Sequence, residues 1–436
     1  MMKRIMPLLF ALLLAAACVP TPDVEPIVSH AEVDTETQLN NTPQSAPTER
    51  ITFPPYWTDE IRTEIWTVPI RADVITSGQQ TYPVRTVARC PFTAEETARL
   101  GNRFFAKVSG MREGFRHSAS EYGVALQNAV DLGRSAIAEN LQKEMTAGGL
   151  ADDFTPVASL SLASVPADYS VETDRGVGSL SVRDDTLLLQ DAVDGTLLFR
   201  EYLEEEGPYE GAKPRTIHPG ISQSDAIETA QRFLEDAEIA GFSAVEAREA
   251  LYFDDFYSQT ISEGYLVELV RVYEYVPLSA ERTQTPGGPM QFERQDVSAP
   301  WYSESIRLYV SDQGVQMMRW NNPLEVTELR TENVGLMPFR DAVTAIKRTF
   351  TYGLPQPEGA GRFGYAMEIT KLYLSCALVP KKDDPDHAYL LPAWYIRVDV
   401  HDVDLRTNIP MLEVVDTAYY GFSALDGSYI GPSPQH

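Results

Sequence analysis

The stretch that decides the fold is Ser305-Ile306-Arg307-Leu308-Tyr309-Val310, then Ser311-Asp312-Gln313-Gly314, then Val315-Gln316-Met317-Met318-Arg319-Trp320. Two runs rich in apolar and β-branched residues flank a short polar turn that ends in glycine. That is the pattern of an antiparallel hairpin. Upstream of it, Ala247 to Asp254 and Gly264 to Val276 read as strands, separated from the hairpin by a loop around Pro286-Gly287-Gly288-Pro289. Ahead of those strands, Ser222 to Ala240 reads as an amphipathic helix, with Ala226, Ile227, Ala230, Phe233, Leu234 and Ala237 on one face.

The same order recurs downstream. A helix over Pro338 to Thr351 turns Ala342, Val343, Ile346 and Phe350 to one side. Strands follow at Tyr365 to Leu378 and Ala388 to Val400. A last hairpin pairs Glu413 to Phe422 with Ser428-Tyr429-Ile430 through Asp426-Gly427. Helix, strand, strand, hairpin therefore occurs twice, which marks residues 216–330 and 331–436 as a duplication. Successive strands with short turns imply tandem antiparallel sheets, each with a helix on one face, an α+β class.

Residues 51–215 read as an N-terminal strand-and-helix module. Strands at 65–75 and 81–89 are joined by Ser77-Gly78-Gln79-Gln80, and Pro69 and Pro83 suit edge strands. Thr93-Ala94-Glu95-Glu96 is a capping box that opens a helix running to Val108, with Leu100, Phe104 and Phe105 as its apolar face. The spacing of Tyr122, Leu126, Ala129, Val130, Ile137, Leu141 and Met145 predicts one long helix from Ala119 to Thr146, stopped by Gly148-Gly149. Gly178 to Arg200 reads as a hairpin turning at Asp194-Gly195, and the acidic residues 203–220 read as a linker.

The chain has 436 residues, 43% hydrophobic and 23% charged, an ordinary globular balance. Its formal charge of −27 makes nucleic acid or an anionic membrane face an unfavourable partner, because the long-range field repels both. Lys3 and Arg4 precede an apolar run from Ile5 to Ala17, which reads as a signal peptide over residues 1–17. It ends in Leu14-Ala15-Ala16-Ala17-Cys18, a lipobox-like sequence that makes Cys18 the expected lipid attachment site and the membrane a partner through that lipid. The alternative is a plain signal peptide cleaved after an Ala-x-Ala triplet. Residues 18–50 carry five prolines among polar residues and no aromatic residue, the composition of an extended tether. Loss of Lys3 and Arg4 with the leader takes the mature charge to about −29. Cys90 and Cys376 remain, either as a disulfide or as two buried thiols.

Ser224-Asp225-Ala226-Ile227 with Ala230 and Phe233-Leu234, Tyr265-Leu266-Val267 with Val276-Pro277-Leu278, and Ile306 to Val310 with Gly314-Val315 and Trp320-Asn321-Asn322-Pro323 resemble YycH/YycI-type extracytoplasmic regulators and PepSY-like modules. The whole mature chain looks like an uncharacterised lipoprotein family of Gram-positive gut-type bacteria. The resemblance implies a helix followed by an antiparallel sheet, often in tandem, and no known activity. The YycH/YycI-type regulators bind and restrain a membrane sensor kinase through a transmembrane anchor; here the anchor is a lipid.

The common catalytic signatures are absent from the sequence: Gly-x-Ser-x-Gly, His-Glu-x-x-His, a P-loop, Gly-x-Gly-x-x-Gly and Cys-x-x-Cys. No catalytic residue, cofactor or metal ligand is assigned. Two constellations carry the alternative of a metal-assisted cell-wall or peptide hydrolase: Asp399, His401, Asp402 and Asp404, with Asp399 and His401 on one strand face, and Asp383, Asp384, Asp386 and His387, a loop able to hold calcium. In so acidic a chain both also read as solvated turns. Glu204-Glu205-Glu206 and Asp254-Asp255 read as solvated surface, and His117 and His218 as lone surface residues. Tyr252, Phe253, Phe256, Tyr257, Tyr265, Tyr273 and Tyr275 read as sheet packing or as a peptide- or glycan-binding groove. The expected function is a non-enzymatic surface module that binds an envelope protein or peptide, with a folding helper or inhibitor of a secreted protein as a further alternative.

Overall fold

In the computed structural model, residues 305–321 form the hairpin that their alternation requires, and the sheets grow from such hairpins. The structure describes residues 52–62, 67–76, 82–105, 107–199, 216–257, 259–273, 276–277, 301, 304–352, 365–381, 384–404 and 409–430. The leader, Cys18, the tether, Glu204 to Glu206 and the Pro286 to Pro289 loop lie outside them.

Among the described residues, strands β1 (Tyr56–Arg62), β2 (Thr67–Ile75) and β3 (Val84–Arg89) come first and precede α1 (Ala94–Phe104). Thr93 caps α1 by accepting from the Glu96 amide, as the capping box predicts, and the helix ends at Phe104, before Val108. Next come β4 (Gly110–Glu113), α2 (Ala119–Asp131) and α3 (Ser135–Ala147). The single long helix expected here is broken at Leu132-Gly133-Arg134, where Gly133 adopts φ +69. The left-handed geometry that glycine permits turns the chain back as a helical hairpin. Gly148 ends α3, as expected.

Short β5 (Thr155–Pro156) is followed by β6 (Ala167–Thr173), β7 (Gly176–Val182), β8 (Thr186–Gln190) and β9 (Gly195–Leu198). Then come α4 (Gln223–Asp236), β10 (Phe242–Asp254), β11 (Gln259–Tyr273), β12 (Val276–Pro277), β13 (Ser305–Ser311) and β14 (Gly314–Asn321). The chain closes with β15 (Leu324–Thr331), α5 (Phe339–Tyr352), β16 (Tyr365–Lys381), β17 (Asp384–Asp404), β18 (Ile409–Ser423) and β19 (Tyr429–Ile430).

These elements make an α+β protein with two sheets. One runs β1-β2-β16-β17-β18-β19, with β3 joining β17 and β15 joining β3. The other runs β5-β4-β6-β7-β8-β14-β13-β11-β10-β9, with β12 beside β11. Helix α4 leads the antiparallel succession β10-β11-β13-β14, and α5 leads β16-β17-β18-β19. The elements expected ahead of these successions are present and divided between the sheets: β1 to β3 join the C-terminal sheet, β2 in parallel with β16, while β4 to β9 join the other. Residues 90–323 are thus an insertion between β3 and β15, which pair with each other. The two crossings lie side by side, and the Cys90 amide donates to the Pro323 carbonyl at 2.9 Å.

Each sheet buries one face under helix. Leu100 and Phe104 of α1 and Ala226, Ala230 and Leu234 of α4 share a core with Leu187, Val267 and Leu308. Ile346 and Phe350 of α5 pack with Ile70, Trp394 and Phe422. A fully buried Leu or Phe contributes about 2 kcal/mol through removal from water, so these periodic faces fix the register.

The hairpin expected over Gly178 to Arg200 does not form. β8 pairs with β7 and β14, whereas β9 pairs with β10 at the far end of the path. Residues 191–194 join those two distant strands, so the sheet curls round a second interior containing Tyr252, Tyr309, Ala250 and Met317. Its polar atoms are satisfied: Ser262 bonds the Tyr309 hydroxyl at 3.1 Å and Ser311 donates to Gln316 at 2.7 Å. Gly264 lies where a Cβ would stand 2.2 Å from the Val310 carbonyl oxygen. A backbone atom cannot yield there, so Gly264→Ala is expected to cost about 1–3 kcal/mol in urea denaturation. Gly335→Ala, which meets nothing within 4 Å, is the control that leaves the midpoint unchanged.

Candidate functional site

The first sequence constellation is dispersed along β17 and its neighbours. Asp399 lies opposite Glu368 and Thr417, and His401 opposite Ala366 and Val414, where the pairing with β18 slips register. Asp399 is buried and committed: Arg397 donates to it at 2.7 Å, Thr370 at 2.9 Å and Thr417 at 3.3 Å. In the second constellation His387 bonds Asp384 at 2.9 Å, and that bond holds the Asp384 carboxyl below its ordinary range. Asp386 is exposed, and Asp383 and the side chains of Asp402 and Asp404 lie outside the described residues. No group of three His, Cys, Asp or Glu able to hold a metal occurs among the described residues. Cys90 and Cys376 are not joined in a disulfide. Tyr252 and Phe253 are core residues, and His218 is exposed.

His117 is the correction. The sequence reads it as a lone surface residue, yet its side chain is one-tenth exposed and fully engaged. It precedes Ser118, whose hydroxyl and amide form a capping box with Glu121 at the start of α2. That cap aims the Glu121 carboxylate back at His117 Nδ1, 3.4 Å away, and at Arg112 of β4, 2.8 Å away. His117 Nε2 lies 2.6 Å from Asp194 Oδ2 in the β8–β9 connection. The ring stacks on Phe256 in the β10–β11 turn, with centroids 3.6 Å apart and planes 10° from parallel. Asp254, buried in the same turn, accepts from the Tyr257 amide at 3.0 Å.

Electrostatics fix the protonation states. Burial alone would lower the His117 pKa, but the hydrogen bonds to Asp194 and Glu121 outweigh it and hold it at about 9. Burial likewise opposes ionisation of Glu121, but bonds from His117, Arg112 and Ser118 hold its carboxyl well below the usual range. Burial pushes Asp254 up. At neutral pH His117 is therefore an imidazolium that donates from both nitrogens. It has no free lone pair to act as a base, and it ties α2, the β8–β9 connection and the β10–β11 turn into one junction.

Two clefts lie elsewhere among the described residues. One, of about 340 Å³, lies where the chain crosses between sheets, lined by Cys90, Glu96, Arg271, Trp320 and Leu324. Beside it Glu304, fully buried, is held by Arg271 and by the Trp320 indole nitrogen at 3.0 Å. Burial, then Glu96, Glu325 and Glu304, pushes the Cys90 thiol up, away from thiolate reactivity. The other, open and about 420 Å³, lies between α1 and α4, with Arg103, Arg175 and Arg232 around Phe104, Phe233 and Val315. Each guanidinium has an acidic partner: Asp236, Asp191 and Glu228.

No family model and no curated protein matches the chain. Among solved structures it is similar to an uncharacterised protein from Eubacterium rectale, at 12% identity over 92% of this chain and 99% of that one, with a TM-score of 0.45. It is also similar to the C-terminal domain of Bacillus megaterium YpeB, at 10% identity over 62% and 85%, with a TM-score of 0.25. At that level of likeness neither neighbour assigns a function or a partner.

The junction makes a signed prediction. The folded pKa of His117 is raised, so its contribution to stability is complete below the unfolded value of 6.5 and is lost as pH rises through about 9. His117→Gln is expected to lower stability by about 2 kcal/mol near neutrality. It is also expected to flatten the alkaline fall of the thermal midpoint, so equal alkaline slopes in the two proteins would refute the charged clamp.

Proposed function

We propose that the chain is a membrane-anchored extracytoplasmic lipoprotein, held by lipid on Cys18, that works by binding an envelope protein or peptide and not by catalysis. The observation that carries this reading is the commitment of two buried acid–base groups, His117 and Asp399, to internal partners. Both nitrogens of His117 are engaged by carboxylates, and Asp399 is held by Arg397, Thr370 and Thr417. A general base needs a free lone pair within reach of a substrate, and these groups are spent on the fold.

Contact surface is available at the sheet edges. Among the described residues β15 pairs only with β3, and it exposes Val326 and Leu329. The sequence resemblance to YycH/YycI-type regulators and PepSY-like modules fits a role exercised by touch. In this reading the lipid sets the location and the polar tether sets the reach.

Cys18→Ser is expected to move the protein from the membrane fraction to the soluble extracytoplasmic fraction. Retention of the variant at the membrane would exclude lipid anchoring. A photo-crosslinker at Leu329 on the anchored protein is expected to capture a defined envelope protein or peptide, whereas one at exposed Val245 is not. Turnover of a wall or peptide substrate by the purified chain would overturn the binding role.

A further inference from the structure

The cleft of about 340 Å³ where the chain crosses between its sheets holds charge that the fold does not use. Its walls come from both halves. Glu96 of α1 and Trp320 of β14 belong to the inserted half, and Leu324, Glu325 and Val326 of β15 to the other. Arg271 is the only cation in the lining, and it is consumed by Glu304, which accepts from its Nη2 at 2.6 Å and from its Nε. The Glu96 and Glu325 side chains have no hydrogen bond or ion pair with any described residue. That is unusual for Glu96. In the corresponding place of α2, Glu121 accepts from the Ser118 amide and completes a capping box. In α1 the Thr93 hydroxyl accepts from the Glu96 amide, but the carboxylate does not reciprocate. After burial, Glu96 and Glu325 are the chief influences raising the Cys90 thiol, so both lie within electrostatic reach of it.

We propose that this cleft receives a lysine side chain of the bound peptide, with its ammonium between Glu96 and Glu325 and its aliphatic stem against Trp320, Leu324 and Val326. The inference rests on the binding role proposed above and names the chemistry of its partner. Charge selects a cation: once Arg271 and Glu304 cancel, the two carboxylates leave the lining negative, and a chain of formal charge −27 draws a basic partner towards it. Apolar surface selects a long stem: Val326, in the lining, is 40% exposed, and an ammonium on a hydrocarbon chain covers such a surface while meeting the carboxylates. The origin of the carboxylates selects lysine over arginine. They come from different elements, which suits the three divergent donors of an ammonium, whereas the planar fork of a guanidinium matches one carboxylate through two parallel bonds. A metal ion fits less well, because no three His, Cys, Asp or Glu are gathered to hold one among the described residues. Clefts between the halves of a chain are where small-ligand sites concentrate, at volumes from about 300 Å³ upward.

Trp320 gives a local readout in a chain with five tryptophans. With fluorotryptophan incorporated in the full chain, the fluorine NMR resonance of Trp320 is identified by its loss in Trp320→Phe. It is expected to shift saturably with the capped peptide acetyl-Ala-Lys-Ala-amide and not with its uncharged norleucine counterpart. Glu325→Gln is expected to weaken that binding about threefold, and the double variant with Glu96→Gln about tenfold. Glu328→Gln, on the same strand but outside the lining, leaves it unchanged. Neither lining carboxylate is bonded to a described residue, so the variants are expected to keep the wild-type thermal midpoint. A Trp320 resonance silent to the lysine peptide, an equal response to norleucine, or binding indifferent to the double variant overturns the lysine site. Capture at Leu329 reports the binding role separately. A partner captured there with Trp320 silent removes the lysine site and leaves that role, whereas substrate turnover with the lysine response intact removes the role and leaves the site.

Discussion

A central strand must satisfy its backbone on both edges, and β17 is too long for one partner on its second edge. β16 covers one edge along nearly its whole length. On the other, β18 reaches only from Ala393 onward, which leaves His387 to Leu390 to be paired. β3 fills that gap. An unpaired stretch there would bury orphaned amides and carbonyls, so the start of the chain is required to return to its end. β15 follows by pairing with β3, β2 follows by its parallel contact with β16, and the chain must cross twice between sheets. The side-by-side crossings, the cleft at Cys90 and the buried Glu304 all sit where that requirement places them.

Charge is handled differently around Glu304 and around His117. Glu304 is neutralised by Arg271 and the Trp320 indole, a closed arrangement whose value lies in having no unpaired member. Around His117 the charges come from separate stretches of chain: Arg112 from β4, Glu121 from α2, Asp194 from the β8–β9 connection and Asp254 from the β10–β11 turn. Pairing a cation with anions from several elements fixes their relative positions, which hydrophobic packing alone does less specifically. The small core of the α2–α3 hairpin explains why such a clamp is needed at its base.

Much of this was legible locally. Helices α4 and α5 and the 305–321 hairpin have strong periodicity and clear turn residues, and they fall where the pattern puts them. The misreadings share one cause, a local cue overruled by a distant partner. Asp194-Gly195 is a good turn, but the strand after it finds β10 and not β8. The helix over 119–146 keeps its apolar spacing across Gly133, so only the left-handed glycine betrays the break. β1 carries no strand signal, because just Trp57 and Ile61 of its seven residues face the core. Of the charged junction, the sequence offered one usable signal: Ser118-x-x-Glu121 is a capping box directly after His117. Its other members are spread from Arg112 to Asp254, and single-sequence spacing has no means of joining them.

The nesting of residues 90–323 inside the C-terminal sheet has a consequence for vectorial emergence. A chain threaded out N-terminus first presents β1 to β3 early; β1 and β2 can pair with each other, but β16 for β2, and β15 and β17 for β3, lie more than two hundred residues behind. The inserted half has every strand it needs once Asn321 is out and can complete itself meanwhile. The second edge of β2 and both edges of β3 must wait unmatched until β15 to β17 arrive, which makes them the segment most in need of a chaperone's protection.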